Sequence, residues 1–194
     1  MKQADFGFEC SFQIDGSSRS QIQQAYDHTV SYGARLAAFS ACEPLRTFGP
    51  FHERQEQLAI DDLTSFGLHS RRLAELTQTR RLFRARGVLV KGKHGATEKD
   101  PFDILNMVIH HKDLRIIRNL MVLKLLIGKA PSWQGLNFED WYSYISPVVY
   151  VKSDRNKEAA FILLPFLELF QKRVILRIVS ICEENGIHLD LEEY

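Results

Sequence analysis

The sequence predicts a mainly α protein, a helical bundle with one β-hairpin at about 148–163 and an N-terminal strand. Three observations predict it. Apolar residues recur every three or four positions over about 52–78 and again beyond Pro165; two β-prone runs flank a polar turn at 153–157; and Phe6 to Ile14 alternate apolar with small or polar residues. The first pattern lays apolar side chains along one stripe of a helix, and the last puts them on one face of a strand.

Phe6, Phe8, Cys10, Phe12 and Ile14 form the apolar face of the N-terminal strand, which Asp15-Gly16-Ser17-Ser18 ends with turn chemistry. Ile22, Tyr26, Val30 and Tyr32 then recur at helical spacing towards Ala41, with Gly33 as the weak point inside. Pro44, Gly49 and Pro50 break the chain before the clearest helix, about His52 to Gln78, whose stripe is Leu58, Leu63, Phe66, Leu73 and Leu76. These two segments divide the single domain into an N-terminal extension, 1–50, and a helical core, 51–194.

Lys91-Gly92-Lys93-His94-Gly95 reads as a surface loop, after which Asp100 caps a helix that has Pro101 in its first turn and Phe102, Leu105, Met107 and Ile109 as its apolar side. Leu114 to Ile127 is so apolar that period alone does not separate helix from strand; a second helix is expected there. Asn137 and Asp140 cap a short helix through Tyr144. Val148–Val151 and Ala159–Ile162 are the arms of the hairpin, with Ser153-Asp154-Arg155-Asn156-Lys157 as its turn. Pro165 opens a C-terminal helix with the stripe Leu167, Phe170, Val174, Ile178 and Ile181, stopped near Asn185-Gly186.

Composition narrows the function classes. Of 194 residues, 45% are hydrophobic and 25% charged, enough to bury a full core, and the net charge of +1 announces neither a nucleic acid nor an anionic surface. Cys10, Cys42 and Cys182 show no metal or redox spacing and read as reduced core residues. No segment approaches the roughly 18 apolar residues of a membrane helix, and no basic stretch precedes an apolar run at the start, so a cytoplasmic protein without a membrane partner is expected. Gly-x-Ser-x-Gly, His-Glu-x-x-His, Cys-x-x-Cys and Gly-rich dinucleotide patterns are absent, and no cofactor or metal is expected. The acidic end, Asp190 to Tyr194, reads as a solvated tail.

Local features carry the functional reading. From Arg71 to Lys93 there are eight cations against one acid, Glu75; within this stretch Arg80, Arg81, Arg84, Arg86, Lys91 and Lys93 are the expected phosphate contacts. A solvated helix end and loop would look the same. Trp133, Trp141, Tyr142 and Tyr144 would suit base stacking, although such aromatics more often belong to a core. On a helix Asp103, Asn106 and His110 fall at i, i+3 and i+7 and share one face. An imidazole titrates near neutral pH and serves as general acid or base, and an amide one turn away orients it or a substrate. The alternative for both groups is a structural hydrogen bond on a half-buried helix.

Asn106-Met-Val-Ile-His110 resembles the Asn-x-x-x-His part of the Arg-x(4 to 6)-His motif of the superfamily named for higher eukaryote and prokaryote nucleotide-binding (HEPN) proteins. The Leu105 to His110 stretch followed by Ser153-Asp154-Arg155 is also similar to a group of small prokaryotic proteins with a Leu-Asn-x-Ile-Ile-His segment. The resemblance implies an antiparallel helical bundle, a homodimer, and metal-independent cleavage of RNA in a toxin-antitoxin or phage-defence setting. It implies His110, Asn106 and Arg155 as catalytic residues. Where the motif has arginine this chain has Leu105, which supplies no cation to a phosphate, so Arg155 is named first to replace it, with Arg115 and Arg118 behind. A catalytically inactive dimerisation module is the competing expectation. A third is a module that binds a cognate protein through residues 114–127.

Overall fold

Helical spacing in the first part of the chain produces two long helices, α1 (Gly16–Ala41) and α2 (Pro50–Leu76), with Pro50 at the first position of the second. The computed structural model describes residues 16–42, 50–79, 88–92, 95–118 and 147–191. The two helices pack antiparallel, because their contacts run in opposite directions. The rings of His28 and His69 lie 4.5 Å apart, a Cβ on Gly33 would sit 3.3 Å from the Phe66 ring, and Arg35 pairs with Asp62 at 2.7 Å. Gly33 therefore permits the close approach of α1 to Phe66. On the buried face of α1, the hydroxyls of Thr29 and Ser40 donate to the carbonyls of Ala25 and Leu36, one turn back, so neither is orphaned.

On α2 the expected stripe holds at Leu63, Phe66 and Leu73, but Leu58 is 42% exposed and Ala59 takes its place in the core. Among the described helices none is long and apolar enough to cross a membrane.

The protein is mainly helical with a β-hairpin, as the sequence predicts, but the hairpin belongs to a five-stranded antiparallel sheet. Its strands are β1 (Val88–Gly92), β2 (Gly95–Lys99), β3 (His111–Ile117), β4 (Val148–Ser153) and β5 (Glu158–Ile162), in the order β2-β1-β5-β4-β3. Two expectations are corrected. Lys91, Gly92 and Gly95 are not in a surface loop: Gly92 pairs with Gly95 and Lys91 with Ala96, and Lys91 also pairs with Ala160 of β5. The helix expected from Leu114 onwards is a strand as far as Ile117. There Leu114 and Ile116 point into the core while Arg115 is exposed, and they pair with Val151 and Val149. That alternation is hidden in the sequence because a second, longer apolar run follows at 120–127, which lies outside the described residues.

After β5 the chain enters α4 (Leu163–Phe170), a π-helical turn (Gln171–Ile175) and α5 (Leu176–Glu184). Phe166, Phe170, Val174, Ile178 and Cys182 are all buried at a spacing of four. Each step of four advances about 40° round a 3.6-residue helix, and the wider π turn takes back part of that drift, so the row stays on the core. Gly186, at φ 72°, ends the helix in a Schellman arrangement, with the amide of Ile187 donating to Cys182 and that of Gly186 to Glu183.

One core joins these elements. Phe66 of α2 and Phe102 of the short helix α3 (Pro101–Ile109) pack edge-on to Phe170, at 5.1 and 5.7 Å, and Phe161 of β5 lies 5.0 Å from Phe166. Ile22, Ala25 and Leu36 of α1 belong to the same core. The end of the chain is tied to α1 as far as Asp190, whose amide donates to Gln23 and whose carbonyl accepts from it, so this residue is not part of a free tail. Cys182 is buried as expected, with its thiol pushed up to about 11 by burial, whereas Cys42 is exposed. The N-terminal strand, Cys10, the 137–144 helix and the aromatics Trp133 to Tyr144 lie outside the described residues.

Candidate functional site

The short helix α3 (Pro101–Ile109) carries the residues singled out from the sequence. Asp100 caps it, accepting from the amide of Phe102 at 2.8 Å, and Pro101 occupies the first position, where a missing N–H costs nothing. Its apolar face, with Phe102, Ile104, Leu105 and Val108, is buried. A Cβ on Gly67 of α2 would lie 3.2 Å from Ile109, so this glycine lets α3 settle against α2. Burial of that face turns Asp103, Asn106 and His110 outward along the opposite one.

His110 is the C-cap, and the chain passes directly from it into β3. The next imidazole goes elsewhere: His111 Nδ1 lies 2.7 Å from the carbonyl of Val108. The two rings are separated by the end of the helix, rather than by the angular step between neighbours along a continuous one.

The β4–β5 turn meets this helix end. Within the turn the amide of Asn156 donates to the carbonyl of Ser153 at 3.0 Å, that of Ser153 to Lys157 at 2.9 Å, and that of Lys157 to the Ser153 hydroxyl at 3.2 Å. Asn156 takes φ 56°, a left-handed conformation that asparagine tolerates better than most residues. The amide of Asp154 is left to point outward, and it donates to the carbonyl of His110 at 2.9 Å. This bond fixes the turn against the end of α3.

A cleft of about 390 Å³ lies between them. Asp103, Asn106, Met107 and His110 form its α3 wall, and Ser153, Asp154, Arg155 and Lys157 form the facing wall. Arg71 of α2 and Lys99 of β2 complete the lining. Four permanent cations thus face two carboxylates. Arg71 is held by Glu75 at 2.8 Å, while among the described residues Arg155 and Lys157 make no side-chain ion pair.

The three residues expected to be catalytic, His110, Asn106 and Arg155, therefore share one cleft. The other candidate arginines do not line it. Arg115 is engaged by both oxygens of Asp113, and Arg118 lies over the Phe39 ring and donates to the carbonyls of Phe39 and Cys42. Leu105, where the motif has arginine, is fully buried and faces the core.

Arg80, Arg81, Arg84, Arg86 and Lys93 lie outside the described residues, and Lys91 is placed in β1. Lys99 and Lys157 were not among the expected contacts. Their only sequence signal is adjacency, to the Asp100 cap and to the Arg155 turn. Among the described residues no three His, Cys, Asp or Glu side chains are placed to hold a metal ion. Compared with protein-family models, curated proteins and solved structures, the chain gives no match.

Proposed function

We propose that this cleft engages the phosphate of RNA or of a nucleotide, and that the protein acts as a HEPN-like, metal-independent endoribonuclease in a toxin-antitoxin or defence setting. The observation that carries the reading is the convergence of His110 and Asn106 of α3 with Arg155 of the β4–β5 turn on one cleft that holds three further cations. Phosphate oxygens are recognised by such cations, above all by arginine, whose planar fork matches them.

In the proposed reaction His110 takes the proton of a ribose 2′-hydroxyl, and the 2′-oxygen attacks the adjacent phosphorus. The bond to the 5′-oxygen of the next nucleotide breaks and that oxygen takes a proton from water, leaving a 2′,3′-cyclic phosphate and a 5′-hydroxyl. Asn106 orients the phosphate, and Arg155 offsets the charge that develops on its oxygens, the part Leu105 cannot play. A cytoplasmic homodimer suits this reading, since the resemblance implies motif residues of two subunits facing one shared cleft.

The test is incubation of the purified chain with RNA in a chelator. Cleavage to cyclic-phosphate ends is expected, falling by about a hundredfold or more in His110→Ala, in line with the usual worth of a general base. Burial of Leu105 favours the second reading, a non-catalytic relative that binds RNA or a partner without cutting. Salt-dependent RNA binding with no cleavage by the wild type selects it. Neither binding nor cleavage removes both.

A further inference from the structure

Besides that of Asp154 in the β4–β5 turn, phosphate binding leaves one carboxylate of the cleft unused, that of Asp103. It is exposed in the first turn of α3, and among the described residues it makes no side-chain hydrogen bond or ion pair. A helix N-terminus favours a carboxylate by itself, so position alone does not explain what it faces. Asp103 and His110 are seven residues apart on one helix face, about 10 Å along the axis. The β4–β5 turn is bonded to the His110 end, through the amide of Asp154. A nucleotide whose phosphate is held by His110, Arg155 and Lys157 can extend within the same cleft past Asn106 to Asp103. The cleft volume lies within the range of small-molecule sites, roughly 300–1,000 Å³.

The chemistry at the Asp103 end is selective. An ionised carboxylate only accepts hydrogen bonds, whereas the Asn106 amide one turn away both donates and accepts. Guanine alone among the four RNA bases presents two adjacent donors, N1–H and N2–H, on its Watson–Crick edge, with the O6 acceptor beside them. Adenine and cytosine each set one amino donor next to an acceptor nitrogen, and uracil flanks its single donor with two carbonyls. Each of these would turn a lone pair towards the second carboxylate oxygen.

We propose that the cleft selects guanine nucleotides, with Asp103 accepting from N1–H and N2–H. The proposal rests on the reading of the cleft as a phosphate site. The test is calorimetric titration of the full chain with GMP, dGMP, AMP and inorganic phosphate. GMP and dGMP bind about tenfold or more tightly than AMP, as expected where a mismatched base leaves polar groups unpaired. In Asp103→Asn that preference collapses to near one, while inorganic phosphate binds as well or better because a negative charge has left the cleft.

Equal tightening of GMP, AMP and phosphate in Asp103→Asn marks the carboxylate as electrostatic only and overturns guanine selection, leaving the phosphate site intact. GMP equal to AMP, with dGMP weaker, places the carboxylate on the ribose and also overturns it. Binding of none of the four ligands removes the phosphate reading and, with it, the proposal.

Discussion

The backbone amide of Asp154 donates to the carbonyl of His110 at 2.9 Å, joining the β4–β5 turn to the last residue of the α3 cap. The bond uses only main-chain atoms, so it sets the separation of the two walls whatever side chains they carry. Asp154 occupies the second position of the turn closed by Asn156 and Ser153, a position that proline fits well while lacking the N–H. Asp154→Pro is expected to keep the turn, lower stability by about 1 kcal/mol and weaken binding in the cleft. Asp154→Ala, which keeps the amide, is expected to stay within about 0.5 kcal/mol of wild type. Chemical denaturation of both variants checks this; equal losses would count against the amide as the joint.

Placing an arginine at Leu105, where the motif this chain resembles has one, is expected to destroy the protein rather than activate it. Leu105 is fully buried on the face of α3 opposite the cleft, and an arginine there would bring an unpaired charge into the core. Leu105→Arg should cost about 4 kcal/mol or more, roughly 8–16 °C in Tm for a chain of this size. A folded Leu105→Arg protein with raised RNA cleavage would show that the buried position reaches the site after all.

The cleft cations make a separate, additive prediction. Each phosphate contact contributes about one to the slope of log affinity against log salt, so Arg155→Ala and Lys157→Ala should each reduce that slope by about one with an oligoribonucleotide. Arg115→Ala should leave it unchanged, since that guanidinium is engaged by Asp113 and does not line the cleft. Fluorescence anisotropy over a range of salt concentrations measures all three.

Stability should fall on mild acidification through the α1–α2 contact. Burial, the neighbouring His28 and Arg72 all hold His69 below the ordinary histidine range, burial most of all. The native state therefore prefers the neutral ring, and the unfolded chain binds its proton first as pH drops. The contribution is complete above about pH 6.5, the unfolded value, declines below it and levels off once the folded ring protonates. Thermal melts from pH 7 to pH 5 should fall less steeply for His69→Gln than for wild type, the difference cancelling groups common to both. Parallel melts would remove His69 as the source.

Local patterns were enough for the parts of this protein that depend on local chemistry. Asp100-Pro101 announced the start of α3, the spacing of Asp103, Asn106 and His110 announced its polar face, and Ser153 to Lys157 announced a turn. Each follows from backbone geometry within a few residues. The same reasoning failed at Leu114, because a short apolar run suits strand and helix equally until a partner such as Val151 supplies hydrogen bonds. It failed at Leu58 because a helical stripe does not say which of two neighbouring residues packing turns inward, and here that residue is Ala59.

Only the tertiary structure decided that His110 and Arg155, 45 positions apart, line one cleft, and that Arg71 and Lys99 join them there. It also decided that Leu105 faces the core while Asn106 beside it faces the cleft. The physical reason is that helix and turn chemistry are local, whereas a cleft is the space left when distant elements bury their apolar faces. That packing is set by the core as a whole, through Phe66, Phe102, Phe166 and Phe170, and by the single amide of Asp154 that closes the joint.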